Sequence, residues 1–351
     1  MFEEVLQRAG FWTASGPFSH IVLSSRLRLA RNMQSVPFPG KMLGEELYPV
    51  REALERFSSD SIYGNTVDII DLRDIDGNEK RYLRERNIIT YEMEVSDNSL
   101  VAICNVDDFS ILVNEEDHFR IQVIRPGLQL PEAYKIADRV DTELNKFVPY
   151  AFSEELGYLT VCTSNLGTGL KVSVLLHLPV TTMKNRVHEL IPEDKKKSIE
   201  IRGTSSHMNK PLGSLYQLSN RISFGLSEID IIEMVDEILG RILEIEDAGR
   251  DGYVSESRLE LEDRIWRSFG TLSCSRRISY VESMEHLSNV RLGIILAVMK
   301  NIDMKIINDL MVNIQWAHLQ KNCGVLFKST NESDEYRADY LRRILGPFEV
   351  R

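Results

Sequence analysis

Between Phe109 and Ile124 an apolar run, FSILV, breaks off into NEEDHFR and resumes as the alternating segment RIQVI. Short apolar and alternating runs of this kind read as strands, so the break delivers Glu115, Glu116, Asp117, His118 and Arg120 to the end of one core strand and the start of the next. Such a density of charge has two readings. It is a solvated loop of surface ion pairs, or it is a site where a carboxylate holds a cationic substrate beside arginines that hold an anionic one.

The rest of the chain narrows the classes. Its 351 residues suggest two domains, and 43% hydrophobic with 27% charged residues is ordinary for a globular protein. A formal charge of −11 argues against nonspecific binding to nucleic acid or to anionic membranes. Cys104, Cys162, Cys274 and Cys323 are too scattered for a zinc site or a disulfide framework, which points to a reducing, cytoplasmic setting. The opening MFEEVLQRAGFW lacks the basic-then-apolar order of a secretion signal. The most apolar stretch, Leu292 to Met299, is far shorter than the ~20 residues that span a bilayer, so no membrane partner is expected.

Arg26 and Arg28, in HIVLSSRLRLARN, are two residues apart and share one face if the segment is extended, with Leu27 and Leu29 on the other. That pairing suits either an anion-binding face or an exposed edge with solvated arginines. Helices are expected from Glu45 to Phe57 and Glu132 to Val148, and a strand over Val67 to Asp71. In GYLTVCTSNLGTGLKVSVLLHLP, two β-type runs, YLTVC and KVSVLLHL, flank a loop, Thr163 to Gly169, of the small residues that let backbone amides approach an anion. Its glycines match neither a Walker A loop nor a dinucleotide fingerprint. Cys162, at the end of the first run, is either a reactive thiol or an inert buried one. A helix is expected over Thr181 to Leu190, then a strand ending at Arg202 and an aperiodic loop to Gly213 that reads as a flap over a site. Ser227 and Asp230 form a capping box for a helix to about Ile245. Glu246 to Tyr253, EDAGRDGY, is the expected boundary between domains. Helices follow over Leu259–Thr271, Tyr280–Leu287, Val290–Met299 and Met304–Gln320, ahead of a polar tail from Asn331 to Arg343.

SSRLRLAR, NEEDHFR, GYLTVCTSNLGTGLK, RGT with the loop to LYQLSN, and GLSEIDII together resemble the ATP:guanidino phosphotransferases, the family of creatine and arginine kinases. With the catalytic part first and a helical part after it, the layout is most similar to the bacterial protein-arginine kinases of the McsB type. The resemblance implies an α+β fold, an antiparallel sheet flanked by helices in the manner of glutamine synthetase, over residues 1–248. An all-helical C-terminal domain over 257–351 would serve dimerisation and partner contact. It implies ATP as phosphoryl donor, Mg²⁺ held mainly by phosphates and water with no protein metal ligands, and arginine-bearing proteins as substrates in bacterial protein quality control. A zinc-binding activator and a Clp-type protease are implied as partners, and a homodimer as the assembly.

Carried over residue by residue, the resemblance gives Glu116 the role of holding and polarising the substrate guanidinium and Cys162 that of the thiolate beside it. Arg26, Arg28, Arg120 and Arg202, with Lys171 and Ser173, would surround the nucleotide. Two departures bear on activity. Lys171 stands where the family has arginine, keeping a charge but losing a bidentate fork. His207 stands where the flap normally supplies a second glutamate, and loss of such a base costs about 10² to 10⁴ in rate. A third bears on regulation. The phosphoarginine-sensing motif Arg-Asp-x-x-Arg-Ala reads Ser333-Asp334-Glu335-Tyr336-Arg337-Ala338.

Overall fold

The computed structural model describes residues 13–42, 47–64, 66–96, 98–104, 109–204, 211–346 and 348. In chain order the elements are β1 (Val22–Arg31), α1 (Leu47–Asp60), β2 (Val67–Asp71), α2 (Gly77–Glu85), α3 (Tyr91–Glu94), β3 (Leu100–Cys104), β4 (Phe109–Val113), β5 (Phe119–Pro126) and α4 (Leu130–Leu144). They continue with β6 (Phe152–Ser153), β7 (Gly157–Tyr158), β8 (Leu170–His177), α5 (Pro179–Met183), β9 (Ile199–Gly203), β10 (Leu215–Asn220) and α6 (Glu228–Cys274). The helices α7 (Tyr280–Ile295), α8 (Met304–Asn313), α9 (Trp316–Cys323) and α10 (Thr330–Leu345) complete the chain.

Eight strands form one sheet in the order β2-β3-β4-β5-β1-β8-β10-β9, and every neighbouring pair is antiparallel. Alternation along each strand gives the sheet two unlike faces. Leu27, Leu29, Ile121, Val123, Val172, Val174 and Leu218 turn to one side, where Ala133, Ile136, Ala137 and Val140 of α4 and Ile231, Val235, Ile238 and Ile242 of α6 close the main core. Arg26, Arg28, Gln122, Lys171, Ser173 and Ser219 turn to the other. At the β2–β4 end of that second face a small apolar cluster, Ile70, Val101, Ile103 and Leu112 with Leu83 and Met93, is covered by α2 and α3. The centre of the face is left polar.

The C-terminal helices build a core of their own around Ile265, Leu287, Ile307 and Leu341, which also takes in Leu23, Val180 and Leu215 from the sheet half. Two buried polar contacts fasten the halves. Arg291, on α7, donates to the carbonyls of Ser19 and His20, to Asn308 Oδ1 at 3.1 Å and to His177 Nδ1 at 2.7 Å, and His177 Nε2 meets Ser288 Oγ at 2.8 Å. Glu85, at the end of α2, accepts from the amides of Ala317 and His318 at the start of α9 and from His318 Nδ1 at 2.8 Å, where the helix macrodipole favours a carboxylate.

Several expectations change. YLTVC is not a strand beyond Tyr158: the Val161 amide is bound by the Asp117 carboxylate, not by a neighbouring strand. The helix expected over Thr181–Leu190 is one short helix, α5, and a 3₁₀ turn. The capping box of Ser227 and Asp230 forms, but α6 runs through EDAGRDGY to Cys274 and departs from helical dihedrals only at Ser257. Glu246 explains the continuity, because its carboxylate is buried against the amides of Val180 and Thr181 and anchors that stretch to α5. The segments at 280–287 and 290–299 are one helix, and 304–320 is split by a turn at Ile314–Gln315. The polar tail is helical, with Ala338, Leu341 and Leu345 packed inward. No helix among the described residues is long and apolar enough to cross a membrane.

Candidate active site

Register places the polar side chains of three strands side by side. Arg26 lies opposite Ser173 on β8 and Ile124 on β5, and Arg28 lies opposite Lys171 and Gln122. Arg120 enters from β5 opposite Ala30. Three guanidinium groups thus converge on one half-buried patch. Among the described residues Arg26 donates one long bond, to Gln217 Oε1 at 3.4 Å, and Arg28 Nε is buried with no hydrogen-bond partner. Burial, and then the charge of Arg120, lowers the Arg26 pKa to about 10. Arg28 is pushed well down by burial, with Arg26 and Arg120 adding to the shift while Glu115 and Glu116 oppose it. A sheet that gathers cations at this electrostatic cost suits an anion, and the unpaired Nε of Arg28 suits a phosphate oxygen.

NEEDHFR is the connection of a hairpin between β4 and β5. Asn114 adopts φ 55°, and its amide donates to the His118 carbonyl at 3.0 Å, closing the turn. The loop is neither of the simple alternatives. Arg120 is shared between Glu115, at 2.5 Å and 5% exposed, and Glu116, at 3.0 Å and 38% exposed. Glu115 is a buried counter-ion; Glu116 faces the open side. Burial raises the Glu116 pKa, opposed by Arg120 and assisted by Asp117 and Glu115.

Asp117 is fully buried and connects this loop to the next. Its Oδ1 accepts from Asn32 Nδ2 at 2.7 Å and from the Val161 amide at 2.9 Å, while Asn32 Oδ1 accepts from the His118 amide. Cys162, one residue beyond Val161, is thereby tied to the residue beside Glu116. It is half-buried at the head of a 3₁₀ turn, its Sγ 3.0 Å from Ser164 Oγ, so it is neither strand-borne nor sealed in the core.

The remaining sequence-derived residues lie on the same face with different surroundings. Ser173 is buried, 3.4 Å from Gln217 Nε2. Lys171 turns toward β9 and β10, bonded to the Asn220 carbonyl and 3.5 Å from Glu200 Oε1. Burial lowers its pKa, with Glu200 opposing. Arg202 is exposed and pairs with the other oxygen of Glu200 at 2.5 Å. His207 lies outside the described residues. No group of three His, Cys, Asp or Glu residues that could hold a metal occurs among the described residues.

The reading of the residues missed the supports. Asn32, Asp117 and the buried Glu115 position Glu116 and Cys162, yet only their proximity to the motifs marked them. The residues at the positions expected for a sensing motif are engaged within the fold. Ser333 is buried and donates to the Thr330 carbonyl, and Arg337 is consumed by the carbonyls of Ile314 and Ile278 and by Asp334.

Residues 48–249 match the family described as ATP:guanido phosphotransferase, C-terminal catalytic domain, and residues 258–350 match the protein-arginine kinase McsB C-terminal domain. The first match starts after β1, so the strand register is what brings Arg26 and Arg28 into the site. The protein-arginine kinase of Halalkalibacterium halodurans is 39% identical over 329 residues, covering 93% of this chain and 92% of the relative. That of Bacillus subtilis is 38% identical over 332 residues, covering 94% and 91%. Among solved structures, a lombricine kinase is similar with a TM-score of 0.58 at 20% identity, over 67% of this chain and 68% of that one. The duplicated taurocyamine kinase of Schistosoma mansoni gives 0.59 at 22% identity, over 75% and 38%. The solved structures share the fold; the curated relatives share nearly the whole length, and with the matched catalytic domain they make this chain a member of the ATP:guanido phosphotransferase family.

Proposed function

We infer that this chain is a protein-arginine kinase, transferring the γ-phosphoryl group of ATP to the guanidinium of arginine side chains in proteins. The observation that carries the reading is the half-exposed carboxylate of Glu116 at the rim of the Arg26, Arg28 and Arg120 cluster, where a cationic acceptor would meet an anionic donor. Glu116 binds the guanidinium and orients one nitrogen toward the γ-phosphorus. As the N–P bond forms, the bond from phosphorus to the β,γ-bridging oxygen breaks, ADP leaves, and the nitrogen's proton passes to the carboxylate. A free guanidinium has a pKa above about 12, so the carboxylate is what makes the nitrogen a nucleophile. Cys162 lies beside the acceptor. Arg26, Arg28, Arg120 and Arg202, with Lys171 and Ser173, surround the phosphates and neutralise charge developing in flight. Mg²⁺, when bound to the phosphates, would add to that neutralisation.

Protein-borne arginine, not the free amino acid, is favoured by the C-terminal half matched over 258–350 and by relatives named protein-arginine kinase. Assembly as a homodimer, a cytoplasmic setting in protein quality control, and partnership with a zinc-binding activator and a Clp-type protease belong to the same proposal, as does the division into catalytic and helical domains at 248 and 257. A second reading, a catalytically weakened regulatory protein, is favoured by Lys171, whose ammonium is engaged by Glu200 and the Asn220 carbonyl. One assay separates them. With Mg·ATP and an unfolded protein, acid-labile phosphoarginine that disappears in Glu116→Gln is the expected result. ATP binding without product would give the second reading, and product on free arginine alone would overturn both.

A further inference from the structure

A cavity of about 250 Å³ opens between the arginine face of the sheet and the C-terminal helices. Its lining is mixed. Arg26 and Ser173, which belong to the phosphate-type cluster, share it with Leu175 and Leu215 of the sheet and with Tyr280, Met284, Met311 and Gln315 of the C-terminal half. Apolar walls with a few convergent amides, continuous with a cationic patch, form the environment of a ligand with an anionic tail and a flat heteroaromatic head. Leu175 and Gln315, both of which line it, are half-buried.

The C-terminal wall is fixed by its own contacts. Gly213, at φ +59°, lies so close beneath α7 that a Cβ there would meet the Met284 carbonyl oxygen at 2.6 Å, so this backbone approach admits only glycine. Arg291 reaches from α7 to Asn308 of α8 and to His177 at the end of β8. Glu85 caps α9, immediately after Gln315. A wall held at three points is preorganised and costs little to order on binding.

We propose that the C-terminal helical half completes the nucleotide site: Tyr280, Met284 and Met311 pack on the faces of the purine base and Gln315 meets its polar edge, while the sheet arginines hold the phosphates. The inference rests on the kinase reading above and adds to it that the two halves share one ligand, so nucleotide binding fastens them together. Methionine suits the wall, because its flexible thioether conforms to an aromatic face.

The test is hydrogen exchange of the full chain read by mass spectrometry, with Mg·ATP and, separately, Mg·tripolyphosphate, which engages the arginines but has no base. ATP should slow exchange several-fold in peptides spanning residues 280–286 and 308–317. Tripolyphosphate should protect β1 and β8 and leave those peptides unchanged. In parallel, Met311→Trp and the milder Met284→Ala should weaken ATP at least about tenfold and change tripolyphosphate affinity less than about twofold. If ATP binds by calorimetry and supports arginine phosphorylation while the C-terminal peptides exchange as before, the shared wall is wrong and the kinase reading stands. Equal protection of those peptides by both ligands would also overturn it, as a general tightening of the fold. If ATP does not bind, both fall together.

Discussion

The two faces of β1 carry arginines in opposite states. On the core side, Arg31 is 2% exposed and fully spent: Nε and Nη2 form a bidentate pair with Asp141, Nη1 donates to the carbonyls of Ala30 and Thr168, and the guanidinium lies 3.5 Å from the centroid of the Tyr158 ring. Its pKa is raised, since the pull of Asp141 outweighs the cost of burial. Three residues back and on the other side, Arg28 is driven well below its usual pKa with one nitrogen unsatisfied. The same side chain on the same strand is a structural tie in one case and a poised anion receptor in the other. The difference lies in whether a carboxylate has been built opposite it.

Breaking the tie should cost the most in stability. Arg31→Met strands the Asp141 carboxylate in the core and should lower unfolding stability by about 3–5 kcal/mol, read by urea denaturation, while kcat/KM of the folded fraction stays near wild type. Arg28→Met should do the reverse. Removing a transition-state donor of this kind lowers turnover by about 10² to 10³, and because no counter-ion is orphaned the melting temperature should hold or rise. Were Arg28→Met to destabilise the fold as much as Arg31→Met, the contrast would fail. Asp117→Ala tests the link between the two loops: it leaves the Val161 N–H without its acceptor and the Asn32 amide with only the Leu159 carbonyl, a loss of about 1–3 kcal/mol, and should change the rate of Cys162 alkylation.

The pH profile sharpens the front face alone. Glu116 must be ionised to hold a guanidinium, and burial raises its pKa above the usual 4.5. Below the raised value it is protonated and idle, so the acid limb of kcat/KM should fall at a higher pH than an ordinary carboxylate would give. Glu116→Gln should remove the limb together with the activity. The smallest effect belongs to Lys171→Arg. Restoring a fork where Glu200 already competes for the cation should lower KM for ATP by less than about tenfold, and no change would mean that the Glu200 contact persists when nucleotide binds.

Much of this was legible in the chain. Period-two alternation marked β1 and β5, short apolar or β-type runs marked β2, β4 and β8, and the alternation sorted Arg26 and Arg28 from Leu27 and Leu29, because it is a local consequence of backbone geometry. The acids of NEEDHFR stood out by density alone. Arg31 looked no different from its neighbours, since its partner Asp141 is 110 residues away on another element. Glu115 and Glu116 are adjacent and chemically alike, yet only the hairpin buries the first and exposes the second. The helix α6 runs on through the stretch expected as a domain boundary, where Glu246 and Arg250 are buried.

By itself the sequence determined several of the strands and helices, the family, and the residue types the chemistry needs, because propensity, periodicity and motif spacing are written in near neighbours. Tertiary structure alone decided which charges are neutralised and which are left to meet a substrate, and that helices after residue 279 wall a cavity beside Arg26. Charge compensation and cavity shape depend on distances between segments far apart in the chain, and no local pattern encodes those distances.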